Sequence, residues 1–318
     1  MRPETLKELH DKNLLTEDQY IKLEAILSKK VFSVFYELRT LLYLGVMLFT
    51  TGVGILIYEN IGELGHLAVI GALFVITTIC FYYVFNKAAP YSHEKVKPPV
   101  PYFDYIVLLG CLLFISVQGY IGFQFDLLDE NLGISTLITA AFFFYAAYRF
   151  DHLGVLSLAI TALASFWSIS LSPQKWYSDD FFSSEHLHIT AIVFGLTVSG
   201  IAVLLDKKSI KQHFTFTYVN FGSLIFFIGT LVGLFDERAF SFYLLILYAG
   251  CALAIIFAHW KKSFLFLLYA FVFAYIGTTY LLADTIMEPE LWFFYMIASC
   301  GGFIYFIIRF KNYFKRAE

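Results

Sequence analysis

Residues 41–60 read LLYLGVMLFTTGVGILIYEN, a run of twenty residues in which the first charge is Glu59. At about 1.5 Å per residue, a helix of this length crosses a hydrocarbon core of about 30 Å. Arg39 precedes the run and Glu59-Asn60 closes it, so one end is basic and the other is acidic. The stretch therefore predicts a membrane-spanning helix with a defined direction.

The composition of the whole chain favours the same environment. Of the 318 residues, 59% are hydrophobic and 15% are charged, whereas soluble domains carry about 25% charged residues. Many of the 37 Phe and 22 Tyr lie near the ends of apolar runs, which is typical of side chains at the membrane interface. We therefore expect a multi-pass protein of a cell membrane, such as a bacterial inner membrane, in contact with membrane lipids.

Ten apolar runs of spanning length follow one another along the chain. They are Leu41–Tyr58, His66–Phe85, Tyr105–Phe125, Leu132–Tyr148, Leu153–Leu171, Leu187–Leu205, Phe214–Leu234, Phe240–His259, Phe264–Ala283 and Leu291–Ile308. The sequence thus predicts an all-α, polytopic bundle of about ten transmembrane helices.

The basic residues support this count and give an orientation. If the amino terminus lies inside and the chain alternates, 20 of the 22 lysines and arginines fall inside, and only Lys175 and Arg238 fall outside. Cytoplasmic loops are enriched in Lys and Arg. Both termini are therefore predicted to be cytoplasmic.

The predicted organisation has three parts. Residues 1–37 form a cytoplasmic helical hairpin that is partly interfacial, residues 38–310 the ten-helix domain, and residues 311–318 a short basic cytoplasmic tail. Within the hairpin, Thr16-Glu17-Asp18-Gln19 is a capping box. The hairpin is a possible docking site for a protein partner. Its basic residues are few and mixed with acids, which disfavours nucleic-acid binding.

The first half of the chain carries motifs of a known family. Residues 44–65 read LGVMLFTTGVGILIYENIGELG, Gln118-Gly119-Tyr120 follows in the third run, and Arg149 follows the fourth. These features resemble the bacterial membrane family catalogued as domain of unknown function 2157. In that family a glycine-rich first span ends in an Ala-Asn-Trp-like turn; here Asn60 matches and Ile61 replaces the Trp. The resemblance implies a polytopic membrane protein and no particular activity.

Polar side chains inside the predicted spans are the first candidate site. Gln118 is the main one, with Ser116 and Gln124 in the same run and Asn220 in the seventh. A buried amide without partners in hydrocarbon costs several kcal/mol, about 2–7. Gln118 could line a polar cavity or could join two helices. Ser157, Thr161 and Ser165 recur at four-residue steps, which is typical of a helix-packing face.

Acidic side chains at the predicted outer rim are the second candidate. They are Glu59, Asp126 and Asp129, together with the neighbouring amide Asn60, and two histidines, His186 and His188, are weaker metal-ligand candidates. Two residues that are two apart on a helix point in different directions. We therefore expect solvated caps rather than a metal site, and the sequence predicts no cofactor.

Three functions remain open from the sequence. The first is transport or permeation of a small or lipidic solute through a cavity near Gln118. The second is a non-catalytic scaffold or sensor that binds a partner through the hairpin, and the third is an outer-rim enzyme that acts on a lipid-linked substrate. No Asp, Glu, Lys, Arg or His lies near the middle of a predicted span, which disfavours proton-coupled transport. No hydrolase, P-loop or dinucleotide-binding motif occurs in a usable context, so an enzyme is less favoured.

Overall fold

The computed structural model of the chain describes residues 10, 16, 19–20, 35–125, 128–171, 185–235, 240–285 and 289–310. The chain divides into two compact units, Met1–Glu63 and Leu64–Glu318. Within the described residues, all regular structure is helical.

Ten α-helices account for the ten apolar runs. They are α1 Phe35–Leu64, α2 His66–Lys87, α3 Phe103–Gln124, α4 Leu128–Phe150, α5 Leu153–Leu171, α6 Glu185–Lys207, α7 Thr215–Phe235, α8 Phe240–Trp260, α9 Phe264–Thr285 and α10 Pro289–Phe310, with a 3₁₀ helix at Gln212–Phe214 before α7.

Nine of these helices are long and apolar enough to cross a membrane. In α10, the apolar stretch Ile297–Phe310 is shorter than the other nine. The predicted all-α, multi-pass membrane fold is therefore confirmed, with ten helices of which nine are candidate spans in the described part of the chain. The placement of both termini in the cytoplasm stays a prediction.

The first unit contains α1 and part of the predicted hairpin. The Thr16 backbone N–H donates to Gln19 Oε1 at 3.1 Å, which is one half of the predicted capping box. The Tyr20 N–H donates to the Thr16 carbonyl at 2.9 Å and begins the following helical turn. Most of the hairpin and the basic tail lie outside the described residues, so the three-part organisation stays a prediction.

Glycine and proline set two of the helix boundaries. Gly65 separates α1 from α2 and has a φ of 72°, a left-handed conformation that glycine adopts without steric cost. The loop before α3 contains Pro98, Pro99 and Pro101. Proline cannot donate a backbone hydrogen bond and interrupts helices, so α2 and α3 are held apart by an irregular loop.

Helix α7 is the most enclosed helix of the second unit. Of its spanning window, 56% is buried, against 39% for α3. It packs against α5, α6, α8 and α9. A helix covered by neighbours on several sides is apolar nearly all round, as the sequence TFTYVNFGSLIFFIGTLVGLF of α7 is.

The closest of these contacts is the seam between α6 and α7. A Cβ atom placed on Gly195 would lie 2.5 Å from the carbonyl oxygen of Gly222, and one on Gly229 would lie 2.7 Å from the Ala191 Cβ. The two backbones therefore touch where no side chain intervenes. Small residues allow such close approach, and in lipid the resulting van der Waals contact is a main source of helix association.

A methyl group in this seam should destabilise the protein. In Gly195→Ala the new Cβ meets backbone atoms of α7 that cannot rotate away, so we expect a loss of about 1–3 kcal/mol. Gly200→Ala is the matched control on the same helix, because nothing lies within 4 Å of a Cβ at Gly200. Equal stability of the two variants in detergent unfolding experiments would contradict the seam.

Candidate functional site

Gln118 joins α3 to α4. Its Nε2 donates to the Ser135 carbonyl at 2.6 Å and to Ser135 Oγ at 2.7 Å. Its Oε1 accepts a hydrogen bond of 2.6 Å from Thr139 Oγ1. Both ends of the amide are thus bonded to one neighbouring helix. This geometry favours the helix-joining interpretation of Gln118 over the cavity interpretation.

The other polar candidates do not converge with Gln118. Ser116 Oγ donates to the Leu112 carbonyl of its own helix at 2.9 Å, and Gln124 is half-buried in the last turn of α3. Asn220 Oδ1 accepts a hydrogen bond of 2.7 Å from the Tyr269 hydroxyl, which joins α7 to α9. Of these three groups, only Asn220 joins two helices, and none of them is hydrogen-bonded to Gln118 in the described contacts.

The outer-rim candidates fall largely outside the described residues. The backbone of Glu59 and Asn60 is part of α1 and that of Asp129 is part of α4. Their side chains, and Asp126 as a whole, are not among the described groups. The rim-enzyme hypothesis therefore stays a prediction, as does the scaffold hypothesis that depends on the hairpin.

The two histidine candidates both lie near the start of α6. His186 lies in the first turn of α6, and its side chain is outside the described part. His188 is only 3% exposed, and its ring packs edge-on against Tyr243 with centroids 5.6 Å apart. His188 thus lies inside the bundle between helices. Among the described residues, no three His, Cys, Asp or Glu side chains are grouped to hold a metal ion.

A polar site that sequence reasoning missed lies at one end of the second unit. The connections α2–α3, α4–α5, α6–α7 and α8–α9 lie there, and we call this the basic end. It consists of the loop 88–102, the turn 151–152, the loop 208–214 and the turn 261–263. These are the connections between helices of this unit that the positive-inside rule predicts to be cytoplasmic, and they lie at the same end of the unit.

Asp151 is the centre of the basic end. Its carboxylate is 3% exposed and lies 3.1 Å from Lys211 Nζ through Oδ2. The same oxygen accepts a hydrogen bond from the Val96 backbone N–H, and Oδ1 accepts one from His213 Nε2. A carboxylate can only accept here, so the His213 nitrogen carries the proton. We call these four residues the Asp151 clamp, because they join three separate connections.

Lys211 is buried more completely than lysine usually is. Its side chain is 1% exposed, and its Nζ also donates to the Glu94 carbonyl at 3.3 Å and lies 5.4 Å from the centre of the Tyr91 ring. Lys211 and Asp151 both have a left-handed backbone, with φ of 47° and 58°. Such conformations cost about 1–3 kcal/mol each and persist where surrounding contacts hold them.

A second ion pair lies nearby at the ends of α6 and α8. Lys261 Nζ donates to both carboxylate oxygens of Asp206 at 2.8 Å. Thr215 Oγ1 donates to the same carboxylate at 3.3 Å. Asp206 is 9% exposed at its side chain and Lys261 is 32% exposed. Asp206 is therefore buried like Asp151, whereas Lys261, unlike Lys211, reaches the surface of the bundle.

A wide groove lies between α4, α5, α6 and α7. It has a volume of about 710 Å³, and none of its described lining residues is charged. We call it the α4–α7 groove. Its walls carry five hydroxyl side chains, Thr136, Thr161, Ser165, Ser168 and Thr190. All of these lining residues lie in candidate spans.

The hydroxyls of this groove are mostly engaged by their own helices. Thr136 Oγ1 donates to the Gly133 carbonyl at 2.8 Å, Thr161 Oγ1 to the Ser157 carbonyl at 3.0 Å, and Ser165 Oγ to the Thr161 carbonyl at 3.0 Å. These donors are satisfied, so the groove presents mainly carbon atoms. The four-residue spacing on α5, which predicted a packing face, belongs instead in part to the wall of a groove.

A smaller groove of about 350 Å³ runs between α6 and α8 over the floor formed by α7. We call it the α6–α8 groove. Trp260, at the end of α8, is among its lining residues. It therefore reaches the basic end, whereas the α4–α7 groove is lined at its α6 side by Leu187 to Phe194 in the first half of that helix.

The first half of the chain is similar to a known protein family. Residues 7–156 match the family of predicted membrane proteins called DUF2157. This match confirms the resemblance carried by residues 44–65, Gln118-Gly119-Tyr120 and Arg149. It covers α1 to α4 and the start of α5, and together with the nine candidate spans it establishes a multi-pass membrane protein. Comparison with curated proteins and with solved structures gave no match.

The Asp151 clamp makes a direct prediction about stability. In Lys211→Met the buried carboxylate of Asp151 loses its cation, and removing one partner of a buried ion pair costs about 3–5 kcal/mol. Lys208→Met removes an exposed lysine of the same loop and should change stability by less than about 0.5 kcal/mol. Unfolding of both variants in detergent, followed by circular dichroism, compares them. A small and equal effect would show that the clamp contributes little.

Proposed function

We propose that this protein binds a lipidic solute in the α4–α7 groove and acts as a transport-like protein for it. The observation that carries the proposal is a groove of about 710 Å³ whose described lining residues are all uncharged and lie within the candidate spans. Binding sites for small molecules usually measure about 300–1,000 Å³ and are mostly apolar. An acyl or isoprenoid chain fits this chemistry, because it needs apolar contact and no charge partner.

The position of the groove supports entry from the side. Its back wall is formed by Phe221 and Ile225 of α7. Trp167 of α5 and Phe194 of α6 face each other across it, with ring centroids 6.1 Å apart, and Trp167 is 37% exposed. A chain that moves in from the bilayer exchanges one apolar environment for another, so aromatic contacts and shape decide its affinity.

The proposed site replaces the cavity near Gln118 as the place of solute binding. The Gln118 amide is bonded at both ends to Ser135 and Thr139 of α4. Opening it to a solute would break these bonds in hydrocarbon, at about 0.6 to 2 kcal/mol for each interhelical bond. The groove needs no such rearrangement.

Filling the groove tests the proposal. Ala164→Trp places an indole in it, and the matched control Val193→Trp places the same ring on a lipid-facing position of α6 that is 48% exposed. The full chain in phosphatidylcholine vesicles is labelled with a phosphatidylcholine that carries a diazirine in its acyl chain. We expect roughly tenfold less labelling of α5 and α6 in Ala164→Trp, because the indole excludes apolar contact worth more than about 1.4 kcal/mol.

Two results would contradict the proposal. Unchanged labelling of Ala164→Trp would show that the groove binds no acyl chain. For the transport-like part, the reconstituted protein should speed the movement of a fluorescent phosphatidylcholine between leaflets, and Ala164→Trp should slow it. Movement no faster than in empty vesicles would exclude that role.

A further inference from the structure

The α6–α8 groove differs from the α4–α7 groove in having a charged end. Its walls are apolar, and three of its α8 residues, Leu253, Ile256 and Trp260, are between 51% and 65% exposed. Nothing lies within 4 Å of a Cβ at Gly200 on the α6 wall. The groove is therefore open along the side of the bundle and leads to the basic end.

An ammonium group lies at the mouth of this groove. Lys261 Nζ is 4.5 Å from the centre of the Trp260 ring, which itself lines the groove. An ammonium has three N–H donors, and two of them are directed at the oxygens of Asp206. The side chain of Lys261 is 32% exposed, so the ammonium has a third donor and access to solvent or a ligand.

The charge around the mouth is positive. Lys207 and Lys208 follow α6, Lys261 and Lys262 follow α8, and all four are exposed. Against these four cations stands one carboxylate, Asp206, so the two helix ends sum to a charge of +3. Asp206 neutralises only part of the charge while it fixes the position of Lys261.

We propose that the α6–α8 groove binds an anionic glycerophospholipid from the leaflet at the basic end. One acyl chain lies between α6 and α8, and the phosphate accepts a hydrogen bond from Lys261. Basic clusters beside apolar clefts at the membrane border are suited to anionic head groups, and a tryptophan at that depth suits the interface. The site is separate from the α4–α7 groove and does not depend on the function proposed for it.

The test compares retention of two lipids. The full chain is reconstituted in nanodiscs of phosphatidylglycerol and phosphatidylcholine in equal amounts, transferred to mild detergent, and its bound lipids are counted by native mass spectrometry. We expect phosphatidylglycerol to be retained at least fivefold over phosphatidylcholine, about 1 kcal/mol.

Four variants distinguish the contribution of the Lys261 charge to lipid binding from that of the groove. The double variant Asp206→Asn with Lys261→Gln removes the ammonium without leaving a buried carboxylate unpaired, and should abolish the preference. Lys261→Arg keeps the charge and should retain it. Gly200→Phe leaves the ion pair intact and fills the groove, and should reduce retention of phosphatidylglycerol about tenfold. Ala164→Trp should not reduce the preference for phosphatidylglycerol over phosphatidylcholine, so the outcome does not depend on the other groove.

Three results would overturn the proposal. Lys97→Gln removes an exposed lysine elsewhere at the basic end, and an equal loss in that variant would mean diffuse attraction rather than a site. Undiminished retention in Gly200→Phe would exclude the groove as the place of the acyl chain. Displacement of the lipid by soluble glycerol phosphate would mean that the head group alone is bound.

Discussion

The close contact between α6 and α7 determines where the concave surfaces of the second unit lie. Glycines at positions 195, 222 and 229 let the two backbones meet without intervening side chains. Residues of α7 line the base of both grooves, and α6 packs on α7 between them. On one side of α6, Thr190 and Phe194 face the α4–α7 groove, and on the other side Ser199 and Gly200 face the α6–α8 groove. Larger residues in the seam would push α6 away from α7 and so merge or close the two grooves.

Different forces act in the spans and at the basic end. Among the spans, the helices are held by shape, by aromatic contacts such as that of Phe227 with Phe273, and by hydroxyl and amide bonds such as those of Gln118. Each of these is worth about 0.5 to 2 kcal/mol. At the basic end, one carboxylate receives a lysine, a histidine and a backbone N–H away from water. The strongest single interaction is therefore the electrostatic one at Asp151, although most of the contacts between helices are apolar.

The sequence predicted the features that depend on local composition. Apolar runs of about twenty residues became helices because a backbone in hydrocarbon must satisfy its own hydrogen bonds. The helix-joining role considered for Gln118 agrees with its contacts, since an amide in lipid requires partners.

Features that depend on distant residues could not be predicted in this way. Asp151 and Lys211 are ordinary loop residues in the sequence, and only folding brings them together. The four-residue spacing on α5 is the same for a packed face and for the wall of a groove, because the spacing does not reveal how close the next helix lies. Equally, Gly195 and Gly200 look alike in the sequence, yet one touches a backbone and the other faces open space.

The order of residues in the Asp151 clamp bears on how the protein is assembled during synthesis. Val96 leaves the ribosome first, Asp151 follows after two more helices, and Lys211 and His213 come only after α6. Until then, the Asp151 carboxylate lacks both Lys211 and His213. The clamp can close only when the helices from α2 to α6 are inserted and their ends have met at one border. A nascent chain stalled before residue 211 would therefore present an unpaired carboxylate, a chemical mark of incomplete biogenesis.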